Sequence, residues 1–267
     1  MSFRLVPVFL AAAVAFHANA ATILGGWYGT DEGQAQSTIA AIFLANGNYV
    51  EVEDGSHALD PTGQNGMERG TYTWNPVTGA VSINTTLDTD GQWGFSNAGV
   101  TSVSVTDTTL SAYTSDGTAV LDRVTESGNP IVGSWFFTDN PAPGDLTVLT
   151  FLPNGEYLLA IDPPAGGYME FGNYSWDPIT DSLTSSIIDS TAPQGSLNLG
   201  AFTSANFQND ELQLSSANGS VSFDSATTPE PASYSVMIAG LIFGSFLCLS
   251  RRTGRSRLRF FRTAVSD

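Results

Sequence analysis

Two segments of the chain set a carboxylate in line with two aromatic rings, and the same spacing occurs twice. Glu68, Tyr72 and Trp74 share one face of an extended strand with Gly70, because side chains alternate with a period of two. Glu170, Tyr174 and Trp176 repeat the arrangement around Gly172. Tyrosine and tryptophan rings stack on sugar faces, and a glutamate accepts bonds from sugar hydroxyls. Together with Trp27 and Trp135, these residues form the candidate ligand-binding set. An architectural role uses the same residues differently: the rings fill a core, and each glutamate bonds a barrel-end amide, since buried polar groups are normally satisfied.

Catalysis is not expected. Glycoside hydrolysis needs two carboxyl groups roughly 5–10 Å apart, whereas Glu68 and Glu170 belong to separate copies of a repeated unit. A serine nucleophile wants a base, and the only histidine outside the N-terminal apolar run, His57, sits in a loop. The single cysteine, Cys248, lies in an apolar run near the C-terminus, which excludes an internal disulfide and Cys/His chemistry. Asp88-Thr89-Asp90-Gly91 resembles the start of a calcium loop but lacks the third Asp or Asn and the distal Glu of an EF-hand. No metal ligands and no cofactor are assigned; weak surface calcium binding by an acidic body is the one metal expectation.

The elements that position these residues come from a duplication. Gly26-Trp27 recurs as Gly133-Ser134-Trp135, and Phe43-Leu44-Ala45-Asn46-Gly47-Asn48-Tyr49 recurs at the same offset of 108 as Phe151-Leu152-Pro153-Asn154-Gly155-Glu156-Tyr157. The stretch 68–79 matches 170–181, now offset by 102, with the length difference in the loop around His57 to Gly66. Two β-domains follow, 22–126 and 129–226. Each reads as eight short strands separated by Asn-Gly, Asp-Gly and Asn/Asp-Pro turns, without a helical period. The fold class is therefore all-β: two tandem homologous antiparallel domains. Eight-stranded up-and-down barrels are favoured because closure removes exposed edges, with a β-sandwich as the alternative. The early Gly-Trp and Gly-Ser-Trp also resemble the start of calycin (lipocalin and avidin-like) barrels.

Charge separates the body from the ends. The chain carries 26 acidic residues, 9 arginines and no lysine, a net charge of −17. Six arginines crowd the last 17 residues and one begins the chain, leaving Arg69 and Arg123 for the whole body. No basic patch exists for nucleic acid. Residues 1–20 read as a signal peptide: Arg4, an apolar run, then Ala18-Asn19-Ala20 before Ala21, which signal peptidase would cleave. Residues 232–250 have the length and apolarity of a membrane helix, and Arg251-Arg252 opens a basic cytoplasmic tail, 251–267. Pro229-Glu230-Pro231 stands immediately before that helix. Tripeptide, helix and arginine pair together resemble the PEP-CTERM sorting signal of Gram-negative bacteria. That resemblance implies processing by an exosortase-type membrane protease, transient anchoring in the inner membrane, and delivery to the periplasm, outer surface or extracellular matrix.

The expected function is thus that of an exported, matrix-associated protein with a structural or binding role linked to extracellular polysaccharide or biofilm. The alternative is a calycin-like carrier of a small hydrophobic or sugar ligand. Open apolar volume beneath Trp27 and Trp135 favours the carrier; two filled cores favour the matrix role.

Overall fold

The computed structural model describes residues 21–30, 38–54, 64–91, 94–115, 117–137, 146–162, 166–193 and 198–227. The signal-peptide residues Ala18 and Ala20, His57, Pro229-Glu230-Pro231, the apolar segment 232–250 and Arg251-Arg252 lie outside the described residues. Among the described residues, no helix is long and apolar enough to cross a membrane.

The described residues are all-β, and the duplicated sequence becomes a duplicated sheet. The first copy comprises β1 (Gly25–Thr30), β2 (Thr38–Phe43), β3 (Asn48–Glu53), β4 (Gly66–Trp74), β5 (Val81–Asp88), β6 (Ser102–Val105), β7 (Thr109–Tyr113) and β8 (Thr118–Arg123). The second comprises β9 (Gly133–Phe137), β10 (Leu146–Phe151), β11 (Glu156–Asp162), β12 (Tyr168–Asp177), β13 (Ser182–Ser190), β14 (Ser204–Gln208), β15 (Glu211–Ser216) and β16 (Gly219–Ser225). Within each copy, strands pair antiparallel with their sequence neighbours, except β5 and β6 of the first copy, and the last strand pairs with the first. Among the described residues, two short helical turns interrupt the strands: α1 (Phe95–Ala98) and a 3-10 turn, Leu199–Ala201.

Closure differs between the copies, which corrects the expectation of two closed barrels. The second sheet is a closed barrel; the first is an open, half-barrel sheet with β5 and β6 at its edges. The seam is thin in both. In the second copy Ser182 pairs with Ser204, flanked by Leu183 N–H to Thr203 O (2.9 Å) and Ala205 N–H to Asp181 O (2.9 Å). The first copy has a lone bridge, Ala80 to Ser102, with Val103 N–H to Gly79 O at 2.8 Å.

A repeated bulge bends the fourth strand of each copy, between Arg69 and Gly70 and between Phe171 and Gly172. A Cβ at Gly70 would stand 2.1 Å from the Asn84 carbonyl oxygen, and one at Gly172 would stand 2.3 Å from that of Ser186, so only glycine lets the strands approach there.

Among the described residues, three apolar clusters hold the sheets. One fills the inside of each sheet, around Trp27, Phe43 and Leu110 in the first and Trp135, Phe151 and Phe223 in the second. The third lies between the copies, where Ile42, Val50, Val52 and Met67 meet Val148, Leu158, Met169 and Phe171. Strands β2 and β10 are therefore buried on both faces. This is why TIAAIF and LTVLTF read as continuous apolar runs instead of alternating ones. An ion pair between Arg69 and Asp162 crosses the same junction.

Candidate functional site

Inside the first sheet, three neighbouring strands carry carboxylates in one row. Glu51 on β3 lies opposite Glu68 on β4, and Glu68 lies opposite Asp88 on β5. Just past β5, Asp90 turns inward and is fully buried, as is Glu68, while Glu51 is 5% exposed. Oxygens of Glu51, Glu68 and Asp90 all lie within 4.8 Å of one another.

The chain following β5 roofs this cluster. Phe95 N–H donates to Glu51 (2.8 Å), and Ser96 N–H donates to both oxygens of Glu68 (2.9 and 3.1 Å). Tyr49 O–H adds a bond to Glu68 at 3.2 Å and stands 2.6 Å from Thr85 Oγ1. Gly94 makes the close approach feasible: φ is 85°, and a Cβ there would fall 2.7 Å from the Glu68 carboxyl carbon. No donor reaches either oxygen of Asp90.

Burial in the company of like charges shifts Glu51, Glu68 and Asp90 upward. Burial pushes Glu51 well above the usual carboxylate range, helped by the charges of Glu68 and Glu53. Burial raises Glu68 as well, opposed by the Ser96 bonds. Asp90 is pushed up to about 10 by burial, then by Asp88, Glu51 and Glu68.

The second copy provides an internal comparison. Glu170 keeps the place of Glu68 and takes bonds from Tyr157 O–H (2.8 Å) and Leu199 N–H (2.9 Å). Around it, however, Leu159 stands where the first copy has Glu51, Ile161 where it has Glu53, Ser190 where it has Asp88, and Ala192 where it has Asp90. One carboxylate with two donors is a satisfied structural group. The acid-rich version exists only in the first copy.

Volume diverges in parallel. A cavity of about 470 Å³ opens beside α1 in the first sheet, lined by Glu51, Phe95, Val100, Ala112, Ala119 and Leu121 among others. The strand pairing sets Ala112 opposite Ala119, whereas the second copy sets Leu214 opposite Val221 at the corresponding place. Phe202 replaces Val100 and Phe223 replaces Leu121, so bulkier side chains occupy the matching volume of the closed barrel, where Leu214, Phe202 and Phe223 are all buried.

The sequence-derived candidates divide accordingly. Trp27 and Trp135 are buried, and each indole N–H donates to a backbone carbonyl four residues earlier, Ile23 (2.8 Å) and Ile131 (2.9 Å). Over Trp27 lies the Arg123 guanidinium, 3.9 Å from the ring centre. Tyr72 and Tyr174 donate to the carbonyls of Leu44 (3.1 Å) and Leu152 (2.9 Å), and burial lifts both hydroxyls to about 12. Trp74 and Trp176 donate to Val103 (3.2 Å) and Ala205 (2.8 Å), tying β4 and β12 across the seams. Polar tips that could read a sugar are thus engaged with the backbone in both copies. Trp74 also borders a groove of about 310 Å³ with Pro76, Ser102, Val105 and Tyr113. Glu68 and Glu170 lie in different sheets, and Ala21 is in the described part, partly buried ahead of β1.

Glu51, Glu53 and the cavity-lining alanines were not among the sequence candidates. Their signal lies in the mismatch of otherwise equivalent positions, read pair by pair through the repeat. Comparison with family models, with curated proteins and with solved structures finds no match for the chain.

Proposed function

We propose that the chain is an exported, non-enzymatic binding protein of the bacterial surface or matrix, with its two β-domains specialised differently. The second is a filled structural barrel. The first takes a small, mostly apolar ligand beside α1, with Glu51 as a polar group in the cavity wall. The carrying observation is the cavity of about 470 Å³ in one copy where the other is filled by larger side chains at the same positions. Volumes of this size, apolar with a few polar groups, are typical of small-molecule sites.

The address rests on the chain ends. The signal-peptide pattern and the PEP-CTERM-like tail support export and exosortase processing, and through them an association with extracellular polysaccharide. The body offers little for direct binding of an acidic polysaccharide, since both of its arginines are committed, Arg69 to Asp162 and Arg123 to Trp27 and backbone carbonyls.

Filling the cavity tests the binding role. The double variant Ala112→Leu/Ala119→Val carries the residues of the second copy. It should abolish the fluorescence enhancement of the neutral apolar probe N-phenyl-1-naphthylamine while raising the melting temperature. Equal probe binding in both proteins would refute a ligand site at this place. Fractionation with intact-mass measurement tests the address: extracellular material ending near residues 229–231 supports processing, and full-length chain confined to the inner membrane opposes it.

A further inference from the structure

We propose that Glu51, Glu68 and Asp90 form a calcium site in the first β-domain, distinct from the apolar cavity whose wall Glu51 shares. Three observations carry it. Oxygens from the three side chains come within 4.8 Å of one another. Calcium holds oxygen ligands at about 2.3–2.6 Å, so oxygens on opposite sides of one ion are about 4.6–5.2 Å apart, and a single ion can touch all three. The ligand set is all oxygen and all carboxylate, the chemistry of a hard divalent cation and not of zinc or copper.

Asp90 supplies the second, independent observation. Its side chain is fully buried, no donor reaches either of its oxygens, and it points at the two glutamates. A buried carboxylate that no donor reaches costs several kcal/mol, and a cation is the partner that would offset the cost for all three acids at once. The roof fits the same role. Phe95 N–H and Ser96 N–H hold one side of the glutamates, which orients ligating carboxylates from behind, as supporting hydrogen bonds do around metals.

The third observation is the pattern of divergence. At the positions of Glu51 and Asp90 the second copy has Leu159 and Ala192, while retaining a glutamate at 170. The fold therefore tolerates apolar residues there. Three acids facing one point are not required for the β-domain to form, which separates a ligand site from a structural necessity.

The test uses the full-length chain, freed of metal by a chelator and titrated with calcium by calorimetry, with magnesium as control. One saturable calcium per chain is expected, with a melting temperature that rises on adding calcium and falls on chelation. Magnesium should do little, because it demands tighter octahedral geometry. The double variant Glu51→Leu/Asp90→Ala should weaken calcium binding on the order of 100-fold or more, since two of three charged ligands are gone. It should also melt higher than the metal-free parent. Asp177→Asn, which alters an exposed acid of the second copy, should leave the titration unchanged. Should the double variant fail to fold, the parent's stoichiometry and Glu68→Gln decide. Absence of a saturable site in the parent, or equal calcium binding in the Glu51→Leu/Asp90→Ala protein, would overturn the proposal. The cavity-filling variant Ala112→Leu/Ala119→Val should retain calcium while losing the apolar probe, so the two sites fail separately.

Discussion

Arg123 shows how much a single side chain contributes when the body has only two cations. Its guanidinium stacks on Trp27 and donates to the carbonyls of Thr22 (2.8 Å), Leu24 (3.0 Å) and Asp107 (2.8 Å). It thereby pins the segment just before β1 to the last strand of the first sheet. Serine replaces it in the second copy, where Ser225 pairs with Trp135. Arg123→Ala should cost about 2–4 kcal/mol in denaturant unfolding, from a desolvated cation–π contact and bonds to a charged donor. Ser225→Ala should cost under about 0.5 kcal/mol, and equal losses would mean that the stack is incidental. Asp54 gives a residue-scale pH dependence. Burial, with the charges of Asp189 and Glu156, raises it from its ordinary range to about 6. The folded state then holds this proton more tightly than the unfolded chain does, so the stabilisation is complete below pH ~4 and disappears as pH rises through about 6. Relative to Asp54→Asn, the parent should therefore lose stability between those limits and run parallel above them, as read from melting temperatures across pH.

At the scale of elements, β3 explains both what was legible and what was not. Strand count, turn positions and the repeat could be read from Asn-Gly turns and the 108- and 102-residue offsets, because tight turns demand particular residues. The acids of β3 could not be placed so directly. Tyr49-Val50-Glu51-Val52-Glu53 alternates cleanly, and the usual reading turns valine toward the core and glutamate toward water. The valines do reach a core, but it is the one between the copies, and the glutamates face the inside of the sheet. A strand with two apolar environments inverts the rule, and no local pattern reveals the second environment. The bulge was equally hidden, since a glycine in a strand has several causes. Gly172→Ala should destabilise the closed barrel by about 2 kcal/mol or more, because the new methyl meets the backbone carbonyl of Ser186. A change under about 0.5 kcal/mol, or a stabilisation, would show that the bulge relaxes. Seam strength is likewise a property of paired strands: with a lone bridge in the first copy, amides of β6 should exchange faster than those of β14.

At the largest scale, the two sheets are organised around the layer they share. The described residues between Ala21 and Thr227 form one compact unit, and the shared cluster draws on strands from both halves. Such a layer couples the copies thermodynamically: neither can unfold without exposing the other's outer face, so one cooperative transition is expected. Leu158 is the position from which to break that coupling. It is fully buried in the shared cluster, on a strand whose other face lines the filled barrel. Leu158→Asp places an unpaired carboxylate in the layer, among Val50, Val52 and Met67, in a body already rich in acids. The cost should be roughly 3–5 kcal/mol, and it falls on the junction more than on either interior. Calorimetry should then resolve two transitions in place of one. The lower should belong to the first copy, whose sheet is open at the seam and whose interior holds the cavity and the acid cluster; the closed, filled barrel should melt later. Calcium offers an internal check on that assignment, because an ion bound at Glu51, Glu68 and Asp90 would raise only the lower transition. A single transition that merely shifts downward would mean that the copies are coupled by more than this layer, and Val77→Asp, at a 91% exposed position, should change neither transition.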